Sequence, residues 1–244
     1  MTVGATADTD KLDINRVIQN TIDVLRRRWR SLVRPAFLLL YLPAVVLGLL
    51  DSTPGPLRAV LSILSLVALI PYTLFLAGLI RLALADLNAE PTSVQEAMTS
   101  GRRRLWPLLG INILTALGVA LGLVLLIVPG VLLALAWCVA AAVVAEEQAL
   151  PAMESFRRSA ELTRGSRLNI FGLGLAFLVA EILASLALTI VSLPFPHGFA
   201  RALLWPLLSA ATSVVGGVLM ATVYNELRWL QEDRAAAGSS GAGI

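Results

Sequence analysis

Between Arg104 and Glu146 the chain runs for 41 residues without a charged side chain. No soluble fold needs such a run, and one helix cannot use all of it. About 20 apolar residues cross a hydrocarbon core of roughly 30 Å. Pro129-Gly130, a turn-forming pair, divides the run into two helices. Other charge gaps have span length. They are 16 residues from Arg34 to Asp51, 22 from Arg58 to Arg81, 33 from Arg167 to Arg201 and 24 from Arg201 to Glu226. The 33-residue gap contains only Glu181 and His197, and Pro194, Pro196 and Gly198 close its span. The apolar runs are continuous rather than alternating, so helices are predicted and not a barrel. The expected fold is an all-α integral membrane protein with six transmembrane helices, near 36–50, 59–80, 105–128, 131–145, 168–193 and 202–225. The fourth is short, and a re-entrant pair is the alternative over 105–145.

Composition agrees. Of 244 residues, 57% are apolar and 14% charged, against about 45–50% and 25% in soluble domains. Mean hydropathy is +0.81. An ordinary soluble enzyme and a disordered chain are both excluded. The single cysteine, Cys138, excludes an internal disulfide and a multi-cysteine metal site, and the single histidine, His197, excludes His-pair chemistry.

Charge placement predicts orientation. All but Arg58 and Arg201 of the 19 basic residues fall in the N-terminal segment, the 81–104 and 146–167 loops and the C-terminal tail. By the positive-inside rule both termini are cytoplasmic, in a bacterial inner membrane. Trp29, Trp106 and Trp229 fall at the cytoplasmic boundary and Trp205 at the other. The polar first 35 residues exceed the n-region of a cleavable signal peptide. Residues 1–11 and 231–244 read as flexible ends of one membrane domain, 12–230.

A threefold pattern runs through the chain: an amphipathic stretch, then arginines, then a helical hairpin. The first stretch carries Ile14, Val17, Ile18, Ile22, Leu25, Trp29 and Leu32 at helical spacing. The second starts at Ser93–Glu96, a capping-box pattern. The third starts at Pro151, contains Met153, Phe156 and Leu162, and ends at Gly165. Three interfacial helices with their apolar faces on the cytoplasmic leaflet are expected.

Catalytic motifs are missing from the sequence: no P-loop, dinucleotide fingerprint, nucleophile elbow or metal-ligand spacing occurs. No catalytic residue, metal or cofactor is therefore assigned, and nucleic acid is not expected as a partner. Glu181 lies about 20 Å into the fifth span at roughly 1.5 Å per residue, where an acidic side chain costs about 2.5–3.5 kcal/mol. It should face the bundle interior, with Ser185, Leu188 and Ser192 on the same face and Asn112 of the third span as a candidate partner. It is either an interhelical hydrogen-bonding group or a proton or substrate relay. Gly118 and Gly122, and the Ser209, Thr212, Ser213, Gly216 and Gly217 face, suit close helix packing. The basic candidates for anionic lipid headgroups are Arg26, Arg27, Arg28, Arg30, Arg34, Arg102, Arg103, Arg104, Arg157, Arg158, Arg164 and Arg167. Each gains about 1 kcal/mol near an anionic leaflet.

Leu126, Ile127, Val128, Pro129 and Gly130, followed by Val131 to Trp137, resemble the central hairpin of a known family. Ala152 to Ser159 and Glu161 to Gly165 resemble its cytoplasmic helix. That family is the bacterial six-helix membrane domain also found fused to some glycerophosphodiester phosphodiesterases, and uncharacterised inner-membrane proteins share its layout. The resemblance covers roughly residues 13–230. It implies no reaction for the membrane part, because the fused members' activity resides in a separate soluble barrel. The expected function is a non-enzymatic, lipid-interacting or accessory membrane domain, with membrane lipids and a membrane or cytoplasmic protein as candidate partners. The alternative is a small transporter or lipid-moving protein with a cavity near Glu181.

Overall fold

The computed structural model describes residues 12–50, 67–147, 151–195 and 197–241. The elements among them are all helical: α1 (Ile14–Ala36), a π-helical turn (Phe37–Tyr41), α2 (Leu42–Leu50), α3 (Leu69–Leu87), α4 (Val94–Arg103), α5 (Leu105–Leu125), α6 (Ile127–Trp137), α7 (Ala140–Glu146), α8 (Ala152–Leu162), α9 (Arg167–Ser192) and α10 (His197–Gly241). Six helical rods are long and apolar enough to cross a membrane: Ile14–Leu49, Leu69–Leu87, Leu105–Leu125, Ile127–Glu146, Arg167–Ser192 and Ala202–Ala236. The chain is a multi-pass, all-α membrane protein.

Several helix ends differ from the charge-gap reading, two of them because a charged residue paired inside the protein does not end a helix. The second span continues past Arg81 to Leu87 because Arg81 meets Glu146 and Asp86 meets Arg28. Its expected start, 59–66, lies outside the described residues. The last helix runs through Glu226, which pairs with Arg16, so the 231–241 part of the expected tail is helical. The fourth span is 20 residues rather than 15, with a short irregular step at Cys138–Val139 between α6 and α7.

The hairpin between the third and fourth spans turns at Leu126, whose extended backbone (φ −161°, ψ 134°) separates α5 from α6. Pro129 and Gly130 are thus not the turn; they sit in the opening turn of α6, where proline has no hydrogen bond to lose. Gly130 serves the close approach instead. A Cβ there would lie 2.5 Å from the Leu123 backbone nitrogen, and one at Gly122 would lie 2.8 Å from Gly130 Cα. Gly118 faces the Trp137 ring in the same seam. In α10, Gly217 receives Leu79 and Gly216 faces Phe177.

The amphipathic stretches depart from the threefold expectation. The first is not a separate interfacial helix: α1 runs through Pro35 into the π-helical turn and on into α2. The second, α4, has the expected capping box: Ser93 Oγ accepts the Glu96 N–H, and Glu96 Oε2 accepts the Ser93 N–H. Those bonds hold the Glu96 carboxyl below its ordinary pKa. The third, α8, starts one residue after Pro151, and Gly165 takes the left-handed conformation (φ +95°) beyond its end. The apolar faces of α4 and α8 pack on the bundle, except that Met153 of α8 is 80% exposed. Met98 and Gly101 press on Gly78 and Ala77 of α3. The Phe156 and Trp137 rings pack at a tilt with centroids 4.4 Å apart, and Ser159 Oγ donates to Ala136 O at 2.8 Å.

The core gathers at the arginine-rich end. It comprises α3 from Phe75 to Ala85, all of α7 from Ala140 to Ala145, the Val218–Leu227 part of α10, and Val17, Val24 and Leu32 of α1. By contrast, α9 buries only Ile170 and Leu173, both in its first two turns.

Candidate functional site

The arginine-rich end is built from six helix ends, of α1, α3, α5, α7, α9 and α10, and the two short helices α4 and α8, and its side chains fall into two sets. One set is locked inside the protein. Arg28 Nε donates to Asp86 Oδ1 at 2.8 Å. Arg27 Nη2 lies 3.0 Å from Asp86 Oδ2, a charge contact without hydrogen-bond alignment. Arg81 reaches Glu146 at 2.6 Å and Glu90 at 3.4 Å. Arg104 Nη1 donates to the carbonyls of Val144, Ala145 and Glu147 at 2.8, 2.6 and 3.2 Å, capping the C-terminus of α7, where the helix dipole favours a cation. Glu147 Oε1 accepts from Arg158 Nε and from the Tyr224 hydroxyl, each at 3.3 Å. Arg16 Nη1 donates to the buried Glu226 at 2.9 Å. Two further bonds tie Leu12 to the start of α9: Leu12 N–H donates to Ser166 Oγ, and Asn169 Nδ2 donates to Leu12 O at 2.6 Å.

Of the headgroup candidates, Arg27, Arg28, Arg104 and Arg158 each have a carboxylate or a helix terminus within reach, and Arg27 stays 59% exposed beside its partner. Arg157 stays exposed and meets Glu154 and Glu161 of its own helix at 3.4 and 3.8 Å, a weak surface arrangement. The Nε of Arg167 is buried without a hydrogen-bond partner.

The second set is exposed and has no ion pair with a described residue: Arg26, Arg30, Arg34, Arg102, Arg103 and Arg164. The Arg30 guanidinium sits 5.6 Å from the Trp29 ring centroid. Exposed apolar side chains accompany this set. On α1 these are Ile18, Ile22, Trp29 and Val33; at the start of α5, Trp106 is 74% exposed. A helix that presents a protein-facing stripe (Val17, Thr21, Val24, Leu32) and a second apolar stripe outward is suited to a lipid boundary.

Mid-bundle polar groups are less organised. Glu181 is half-buried on α9, on the same face as Ser185 and Ser192, as its spacing predicts, and has no partner among the described residues. Ser192 Oγ donates to the Thr189 carbonyl of its own helix. The Asn112 Nδ2 is buried without an acceptor. The expected Asn112–Glu181 bond does not form. Both helices start at the arginine-rich end, and Asn112 lies 7 residues into its helix against 14 for Glu181, a difference in depth of about 10 Å. Three clefts are lined by α1 and α10, by α5, α6 and α9, and by α6 and α8; Glu181 lines none of them.

The carboxylates Asp86, Glu90, Glu146, Glu147 and Glu226 are the organising groups that sequence reasoning passed over. Their signal was present: each borders an apolar run on the side where arginines crowd. In the charge-gap reading Glu146 and Glu226 serve only as span ends, and Asp86, Glu90 and Glu147 are not singled out.

Comparison with known proteins adds a membrane relative. Over 98 residues the chain is 39% identical to UPF0259 membrane protein SG1383 of Sodalis glossinidius (strain morsitans). That stretch is 40% of this chain and 39% of the relative, so the match spans about two fifths of the relative's length. No protein-family model matches, and no solved structure matches. The likeness to the membrane domain of glycerophosphodiester phosphodiesterases finds no counterpart in these matches; the likeness to a bacterial membrane protein does.

Proposed function

We propose that this protein is a lipid-interacting membrane domain whose arginine-rich end faces the cytoplasm of a bacterial inner membrane and engages anionic headgroups without catalysing a reaction. One observation carries this reading. With Asp86, Glu90, Glu146, Glu147 and Glu226 each paired to an arginine, Arg26, Arg30, Arg34, Arg102 and Arg103 remain exposed, beside the exposed rings of Trp29 and Trp106. Cations and indoles at one level are what an anionic interface selects. The positive-inside bias favours the same orientation, with both termini in the cytoplasm.

The test is spin-labelled phosphatidylglycerol in mixed bilayers containing the reconstituted protein. Arg102→Glu with Arg103→Glu should lower the preference for phosphatidylglycerol over phosphatidylcholine in the motionally restricted lipid by several-fold, at about 1 kcal/mol per charge. Unchanged preference would overturn the reading. Arg104 is unsuitable for this test because it caps α7.

A further inference from the structure

Arg26, Arg30 and Arg34 are spaced i, i+4 and i+8, so they form one ladder along α1. All three are exposed and lack a carboxylate partner among the described residues; Asp23, one turn away, makes no ion pair with Arg26. Beside this ladder runs a cleft of about 520 Å³ between α1 with its π-helical turn and the uncharged stretch of α10. That volume is within the ~300–1,000 Å³ of small-molecule sites. The walls are apolar: Trp29, Val33 and Phe37 on one side, Leu207, Ala211 and Val214 on the other. Phe37 and Tyr41 stack at 5.2 Å across the π-helical turn, and both line the cleft. Such wide turns are concentrated at functional sites.

We infer that this cleft seats one acyl chain of an anionic phospholipid whose phosphate is held by Arg30 and Arg34. The inference rests on the lipid-interacting reading above and narrows it to a single stoichiometric site. Three observations select this occupant. Along the length from Trp29 to Tyr41 charges occur on one rim only, as Arg30 and Arg34, because α10 has none between Arg201 and Glu226. Length agrees: beyond Arg34 the cleft runs on to Tyr41, about 10 Å at 1.5 Å per residue, which seats the upper part of a chain that crosses the ~15 Å of hydrocarbon in one leaflet. Position agrees as well, since the ladder joins the end of α1 that carries exposed Ile18 and Ile22 to the start of the first span. A peptide helix would bring backbone bulk and its own side chains into a slot lined from both sides, and an acyl chain brings neither.

Native mass spectrometry of the full chain, released from bilayers of equal phosphatidylglycerol and phosphatidylcholine, tests this. One phosphatidylglycerol should remain bound per chain, in at least tenfold excess over phosphatidylcholine. Arg30→Gln with Arg34→Gln should lower that occupancy about tenfold while leaving the helical circular dichroism unchanged. Ala211→Trp should empty the cleft with every arginine intact. Arg102→Gln with Arg103→Gln should leave the single lipid in place even though it weakens the broader headgroup preference. Equal retention of the two lipids, or full occupancy in the Arg30/Arg34 variant, would overturn the inference. If Ala211→Trp does not fold, the Arg30/Arg34 result decides alone. Loss of the single lipid in the Arg102/Arg103 variant would also count against this site, by placing the headgroup elsewhere.

Discussion

The two halves of the bundle differ in what holds them. At the arginine-rich end, helices are cross-linked by side chains: Arg28 to Asp86, Arg81 to Glu146, Arg104 to the end of α7, Arg16 to Glu226. In the other half, α9 beyond Leu173 buries nothing fully, and the tip of the α5–α6 hairpin from Val124 to Val128 is at least 67% exposed. In water that second half would be unstable. In a bilayer, lipid tails are as apolar as leucine, so little is gained by moving an alkyl side chain from lipid to protein. Polar groups at the interface have no such indifference, and specificity accumulates where they are.

Breaking the cross-linked half should have the largest effect. Asp86→Ala strands Arg28 and Arg27 and should cost about 2–3 kcal/mol, below the ~3–5 of a fully buried pair because Arg27 is mostly exposed. In detergent this corresponds to a fall in Tm of roughly 5–10 °C. A fall under 2 °C would mean the pair is not a principal tie. Ala89→Gly should act in the opposite direction on the same half. Ala89 closes α3 with φ 56°, its N–H donating to Asp86 O and that of Glu90 to Ala85 O, a Schellman closure with alanine where glycine is at ease. Glycine there should add about 0.5–1 kcal/mol, read as a rise in Tm; a lowered Tm would show that the left-handed turn stores no strain. The smallest effect should come from the loose half. Glu181→Gln removes no partner seen among the described residues and should stay within ~0.5 kcal/mol in thermal unfolding. A larger loss would reveal a partner and erase the contrast between the halves.

What the sequence made legible follows the same division. The six spans, the α9 bounds to within one residue, the Ser93–Glu96 capping box and the Glu181–Ser185–Ser192 face were all readable, because each depends on local periodicity. The arginine-rich end was read as one pool of free cations. Its partition into locked and free arginines depends on which distant carboxylate each meets: Arg16 and Glu226 are 210 residues apart, and Arg28 and Asp86 are 58. Spacing along one chain carries no trace of that. The turn was misplaced from Leu126 to Pro129-Gly130 because proline and glycine signal a bend equally well when they serve a helix start and a backbone approach.

The turn at Leu126 also bears on how the chain enters a bilayer. Leu126 donates its N–H to Gly122 O and accepts from Gly130 N–H, and Pro129 has no donor to leave exposed. From Leu105 to Ala145 no charged group has to be moved through hydrocarbon. At about 31 Å, α5 is just long enough to bring the tip to the far interface. This pair of helices can therefore insert as one unit from the side on which Arg104 stays. The connections that contain Asp51, Arg58 and Arg201 cannot, because each carries charge across.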